Sequence, residues 1–232
     1  MWGRKYCTEI YPTIYQDTGA EKIMEQLDYD SSALEAKKNK TGFRFGYLEA
    51  EVRYSDIGME VQAYLKKHPG AAVVNLGCGL DCSAENNCSV QNNASATSKI
   101  YNIDCPDVIA ARNQLIPPSE RVTNIGTDLN DTTWFDTIDD SNGVVFFTAG
   151  VFYYFLADEI KKLFTAMAER FHGGKLIFDT ANWMVVKMML KTWVKTAGIT
   201  DVDKYFYIND LERDLQAWLP GTRGTAKGYM LG

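Results

Sequence analysis

The run Val73–Asp81, Val-Val-Asn-Leu-Gly-Cys-Gly-Leu-Asp, constrains this chain more than any other stretch. Apolar and β-branched residues from Ala71 lead into Gly77-Cys78-Gly79. That pattern reads as a buried strand ending in a tight glycine turn. A helix-like segment precedes it, and strand and helix signals alternate after it. A glycine turn behind the first strand of such a chain is where a nucleotide-like ligand can approach the backbone.

The alternation is regular. Ala20–Leu27 has helical spacing, and Tyr29–Lys40 is polar, most simply a solvated loop or helix end. Phe43–Lys67 spaces Tyr47, Leu48, Val52, Ile57, Val61, Tyr64 and Leu65 as a long helix does, until His68-Pro69-Gly70 stops it. Ala71–Leu76 is the first strand. Ile100–Ile103, Arg121–Ile125, Gly143–Thr148 and Lys175–Phe178 are the next four. Asp81–Lys99 is Asn- and Ser-rich and reads as a loop with room for a short helix. Pro106 opens a helix through Val108–Leu115. Ala157–Phe171 sets Ile160, Leu163, Phe164 and Met167 opposite Lys161, Lys162 and Glu169. Met184–Val194 and Asp210–Trp218 read as helices, Trp134–Ile138 as a helical turn, and Tyr205–Tyr207 and Gly228–Leu231 as short strands.

Near-continuous apolar strands between helices imply a mainly parallel sheet covered on both faces. The expected fold is therefore α/β, a doubly wound, Rossmann-like sheet. Residues 1–70 form a helical N-terminal cap, and residues 71–232 form the core of the same structural unit.

The totals narrow the partners. The chain has 232 residues, 46% of them hydrophobic and 23% charged, which suits one domain with a sizeable core. Its formal charge of −6 argues against a general nucleic-acid binder, which needs clustered Lys and Arg. No apolar stretch reaches membrane-span length, and no signal-peptide run follows the first residues, so the expectation is a cytoplasmic protein. Five cysteines (7, 78, 82, 88 and 105) include no C-x-x-C pair, and His68 and His172 are the only histidines. Free thiols and no metal site follow.

Ligands in open α/β sheets sit beyond the C-terminal strand ends. In order these ends carry Gly77-Cys78-Gly79-Leu80-Asp81, Asp104, Asp128-Leu129, Thr148-Ala149-Gly150 and Asp179. An acid after the second strand can accept both ribose hydroxyls of a nucleoside. One after the third can accept from an adenine amino group. The turn lacks the third glycine of G-x-G-x-x-G, since position 82 is Cys. Asp81 and Glu85 follow it, which suits a phosphate-free ligand with a positive centre. S-adenosylmethionine has that chemistry. The bland readings are a simple turn and, at Asp104-Cys105-Pro106, a helix cap.

The run Val73–Asp81 also resembles the first motif of the leucine carboxyl methyltransferase superfamily, on the branch of tetracenomycin-type polyketide O-methyltransferases. Leu27-Asp28-Tyr29-Asp30, Ile103–Ile109, Asp128–Trp134, Gly150–Phe155 and Gly173–Asp179 carry the likeness, in order, over nearly the whole chain. The resemblance implies a class I methyltransferase fold that uses S-adenosylmethionine. It implies that Arg53, in Glu51-Val52-Arg53-Tyr54-Ser55-Asp56, grips the cofactor carboxylate, the alternative being a surface helix charge. The glycine turn (Gly77, Cys78, Gly79, with Asp81) would face the methionine part, Asp104 the ribose, and Asp128 with Leu129 the adenine. Ala149 stands in the cofactor site where many members carry Glu. The family's last strand pair normally follows Gly-Tyr-Met-Leu-Gly, where this sequence reads as cut short.

The expected reaction is attack of an acceptor oxygen, hydroxyl or carboxyl, of a small molecule on the cofactor methyl group. Tyr153, Tyr154 and Asp179 are the base candidates, each with a packing role as the alternative, and His172 reads as a helix cap. No catalytic base is assigned. The rivals are a non-catalytic cofactor-binding protein on the same fold and a nicotinamide-dependent oxidoreductase.

Overall fold

A computed structural model describes residues 1–13, 15–87, 97–189 and 205–228. Four helices come first: α1 (Trp2–Ile10), α2 (Thr18–Gln26), α3 (Ser32–Glu35) and the long α4 (Thr41–Leu65). Then strands and helices alternate: β1 (Ala72–Leu76), α5 (Ser83–Asn87), β2 (Ile100–Asp104), α6 (Pro106–Leu115), β3 (Val122–Gly126), β4 (Val144–Thr148), α7 (Ala157–Arg170), β5 (Lys175–Phe178), α8 (Trp183–Met189) and α9 (Leu211–Trp218). Short 3-10 turns occupy Thr132–Thr137 and Phe152–Tyr154.

Local chemistry sets several of these boundaries. Asp17 Oδ1 accepts the Ala20 N–H at 2.9 Å and starts α2. Pro106 sits at the first turn of α6, where its missing N–H costs nothing. Glu159 Oε2 reaches back to the Leu156 N–H at the start of α7, and Asp210 caps α9 through the Arg213 N–H.

The five described strands form one parallel sheet in the order β3-β2-β1-β4-β5. Val73 aligns with Ile100 on one side and Val145 on the other, which makes β1 the central strand. Alternate side chains leave the sheet on opposite faces. Ala72, Val74, Leu76, Ile103, Val144 and Phe146 pack on one face with Ile160, Leu163, Phe164 and Met167 of α7. Val73, Ile100, Val145 and Phe147 pack on the other with Ile57, Val61, Tyr64 and Leu65 of α4. The C-terminal half of α4 thus lies on the sheet. A separate aromatic cluster around Trp2, Tyr6, Phe43 and Tyr47 joins α1 to the N-terminal half of α4.

Two expectations need adjustment. The polar stretch 29–40 contains the short helix α3 rather than loop alone. Tyr205–Tyr207 is not a strand; Tyr205 makes one isolated antiparallel bridge to Leu156. Phe206, wholly buried, instead plugs a ring cluster of Phe152, Phe164 and Phe178. The expected helix through Val194 is seen to Met189, and the remainder lies outside the described residues, as does most of the expected strand Gly228–Leu231. No described helix is long and apolar enough to cross a membrane.

Candidate functional site

The chain runs outward from β1 to β2 and β3, then returns to place β4 on the other side of β1. The C-terminal ends of β1 and β4 therefore flank a topological switch point, the usual crevice for a ligand. Two glycines shape it. Gly77 has φ +67° and Gly150 has φ +73°, a region that favours glycine. A Cβ on Gly77 would lie 2.5 Å from Val151 Cγ2, and one on Gly150 would lie 3.1 Å from the Arg53 guanidinium. The two turns and Arg53 are thus closely apposed. Gly79 differs, because a Cβ there would meet nothing within 4 Å. Its backbone faces open space.

Acidic groups ring that opening. Asp104, at the end of β2, accepts the Gly79 N–H on Oδ2 at 2.7 Å and the Cys105 N–H on Oδ1 at 2.8 Å. An ionised carboxylate offers about four lone-pair sites, so Asp104 keeps acceptor capacity for a ligand. Asp128, beyond β3, is exposed and accepts the Asn130 N–H at 2.9 Å. On the β4 side, Arg53 reaches from α4 to Asp179 at the end of β5, Nη1 to Oδ2 at 3.0 Å. Asp179 Oδ1 accepts the Gly150 N–H at 2.7 Å.

Two buried arginines brace the glycine turn from behind. Arg112 of α6, wholly buried, donates to the Gly79 carbonyl at 3.1 Å, the Asp81 carbonyl at 2.7 Å and Glu85 Oε1 at 2.5 Å. Arg4 of α1 pairs with the Asp81 carboxylate and with Asp17 at 3.2 Å, and lies 3.7 Å from Glu51. Its guanidinium also stacks 4.2 Å from the centre of the Tyr54 ring. Burial alone would lower the Arg4 pKa, but Asp81, Tyr54, Tyr15 and Asp17 outweigh it and raise it, so the charge persists. Burial holds Glu51 above the usual carboxylate range, with Arg4 pulling the other way. Asn75, in mid-β1, donates to Asp81 Oδ2 at 3.0 Å.

The residues singled out from sequence divide accordingly. Arg53, Gly77, Gly79, Asp104 and Ala149 gather around the ends of β1, β2 and β4, and Asp128 follows on β3. Leu129 is 5% exposed with its side chain in the core, so only its backbone is near the rim. Cys78 is 3% exposed, and burial pushes its thiol up to about 12 despite Arg112. It contributes backbone to the turn and no thiolate. Asp81 and Glu85 correct the expectation of a free acidic surface after the turn. Asp81 turns inward to Arg4, Asn75 and Ser83, and Glu85 turns to Arg112 and Asn102. Tyr153 is buried, Tyr154 is exposed, and His172 lies before β5, at the opposite end of the sheet from the site.

Sequence reasoning missed Arg4 and Arg112. Their one visible trace was indirect: Asn75 and Asn102, polar residues inside otherwise apolar strands, mark where buried polar partners must exist.

Comparison with known proteins adds a family. The model for leucine carboxyl methyltransferases matches residues 7–168. The tetracenomycin polyketide synthesis O-methyltransferase TcmP of Streptomyces glaucescens is 24% identical over 217 residues, 93% of this chain and 74% of that protein. Among solved structures, a candidate methyltransferase from Thermobifida fusca superposes with a TM-score of 0.53 at 14% identity, covering 81% of this chain and 73% of its own. A DUF574 family protein from Streptomyces avermitilis superposes with a TM-score of 0.54 at 15% identity, covering 84% and 80%. These two likenesses bear on the fold and agree with the doubly wound sheet.

Proposed function

The chain belongs to the leucine carboxyl methyltransferase family of S-adenosylmethionine-dependent methyltransferases, and from that premise we propose that it methylates an oxygen, hydroxyl or carboxyl, of a small-molecule acceptor. The choice of oxygen follows the relative from Streptomyces glaucescens, an O-methyltransferase of tetracenomycin polyketide synthesis. That likeness also makes a polyketide-like acceptor the first class to try.

The observation that carries the reading is the donor and acceptor order along the strand ends. A cation, Arg53, stands at the β4 end, open backbone at Gly79 after β1, and carboxylates at Asp104 and Asp128 after β2 and β3. A ligand with a carboxylate at one end and a nucleoside at the other fits that order. Pyrophosphate does not, because the Asp104 carboxylate sits on the Gly79 N–H and the turn lacks a third glycine. S-adenosylmethionine, when bound, supplies a methyl group on a sulfonium, already an excellent leaving group. The protein's own work is then positioning, which can contribute on the order of 7–11 kcal/mol. Arg53 would hold the amino-acid carboxylate, Asp104 the ribose hydroxyls, and Asp128 with the Leu129 backbone the adenine edge. Gly79 gives the ligand room to lie against the turn. A carboxyl acceptor needs no base, and a hydroxyl acceptor would gain from one.

Calorimetry with S-adenosylhomocysteine and NAD tests this. The methyl-donor product should bind and NAD should not; binding of NAD alone would overturn the reading. Turnover of S-adenosylmethionine against a panel of phenols, alcohols and carboxylic acids then identifies the acceptor atom.

A further inference from the structure

We infer that Asp179 is the positioning residue for the amino-acid end of the cofactor, holding Arg53 and the Gly150 turn in one fixed arrangement. This rests on the cofactor reading above. The Asp179 side chain is 2% exposed. Its two oxygens are used on different elements. Oδ2 takes Arg53 Nη1 from α4 at 3.0 Å, and Oδ1 takes the Gly150 N–H after β4 at 2.7 Å. One carboxylate thereby ties the helix that covers the sheet to the ends of both β4 and β5.

The geometry explains why Arg53 needs such a partner. Its side chain is 19% exposed and sits at the mouth of the crevice. A long side chain at a rim loses affinity for a ligand if it must first be ordered. Asp179 orders it in advance. Gly150 completes the arrangement, because a Cβ there would press on Nη1 and Nη2 at 3.1 and 3.2 Å. The preceding residue, Ala149, has no charge to share in the work. Tyr54 supports the guanidinium from another side, 5.5 Å from its ring centre. A guanidinium has five N–H donors in a planar fork, a geometry that can bond a protein carboxylate and a ligand carboxylate together.

The test compares two ligands that differ at the relevant end. S-adenosylhomocysteine carries the amino-acid carboxylate, and 5′-methylthioadenosine lacks it. Calorimetry on the full chain should show Asp179→Asn weakening the first by about tenfold or more while changing the second little. In an Arg53→Ala background the same change should have no further effect. Methylthioadenosine binding also reports whether the variant is folded. Should Asp179→Asn fail to fold, Gly150→Ala must show the same selective loss, since its Cβ crowds the Arg53 guanidinium while the Asp179 side chain itself is kept. Equal weakening of both ligands, or unchanged or tighter binding of S-adenosylhomocysteine, overturns the inference while leaving the cofactor reading intact. Failure of the unmodified protein to bind S-adenosylhomocysteine overturns both.

Discussion

Replacing Arg4 by Met should cost more stability than its place near the start of the chain suggests. The Arg4 side chain is 7% exposed, and those of Asp17, Glu51 and Asp81 are 4%, 6% and 7% exposed. Met preserves much of the volume, so the cavity contribution is small. What remains is three buried carboxylates without their guanidinium. Breaking a buried ion pair from one side costs about 3–5 kcal/mol, a large part of a domain's usual ~5–15 kcal/mol. The loss should also depend on pH. Glu51 already titrates above its ordinary range because burial outweighs the attraction of Arg4, and removing Arg4 raises it further. A carboxyl whose folded pKa lies above its unfolded one contributes fully below the unfolded value, about 4.3, and loses that contribution as pH rises toward the folded one. The deficit of Arg4→Met should therefore be largest near neutrality and shrink as pH falls toward 5. Urea unfolding followed by circular dichroism at several pH values measures it. A deficit under about 1 kcal/mol at pH 7, or one that grows on acidification, would refute the account of Arg4 as the counter-charge of this cluster.

Three further changes probe other parts. Asp104→Ala removes the acceptor of the Gly79 N–H as well as the proposed ribose contact, so S-adenosylhomocysteine should bind at least tenfold more weakly; unchanged affinity by calorimetry removes Asp104 from that role. Arg112→Met takes a donor from two backbone carbonyls and leaves Glu85 with Asn102 but no counter-charge, and should cost about 3 kcal/mol in urea unfolding. Glu60, on α4, is lowered to about 2 by hydrogen bonds to Lys175 and Lys227. Its contribution is present above the unfolded value near 4.3 and is lost as pH falls through about 2, so Glu60→Gln should destabilise by under about 1 kcal/mol at neutral pH and flatten the acid limb of the stability profile.

The sheet was legible because its strands are apolar blocks between glycine and proline stops, and burial on both faces demands that pattern. β1, β2, β4 and β5 fall where their apolar runs fall, and Pro106 marks the start of α6. Phe206 misled because an aromatic between tyrosines has the composition of a strand, and only the packed rings show it to be a plug. Candidate site residues were legible at strand ends because a parallel sheet sends all those ends to one side. Side-chain direction was not. Asp81 and Glu85 look like a solvent-facing acidic patch until Arg4, 77 residues away, and Arg112 are seen to claim them. A charge carries no periodic trace of its partner, so pairing across that distance has no local signature.

The central place of β1 has a consequence in time as well as in space. Its β2 edge can be paired as soon as one connection has been made. Its β4 edge waits until β2, β3 and their connections have been synthesised, because β4 follows them in the chain. At roughly 5–20 residues per second this interval lasts seconds. During it, an apolar strand presents unpaired N–H and C=O groups, the template on which strange chains pair. α4, made earlier, can shelter a face of β1 but not that edge. Slow, non-local strand closure of this kind limits folding rate. The nascent protein is therefore most vulnerable to misassociation between the emergence of β1 and that of β4, and a chaperone that guards a single strand edge would serve it best in that window.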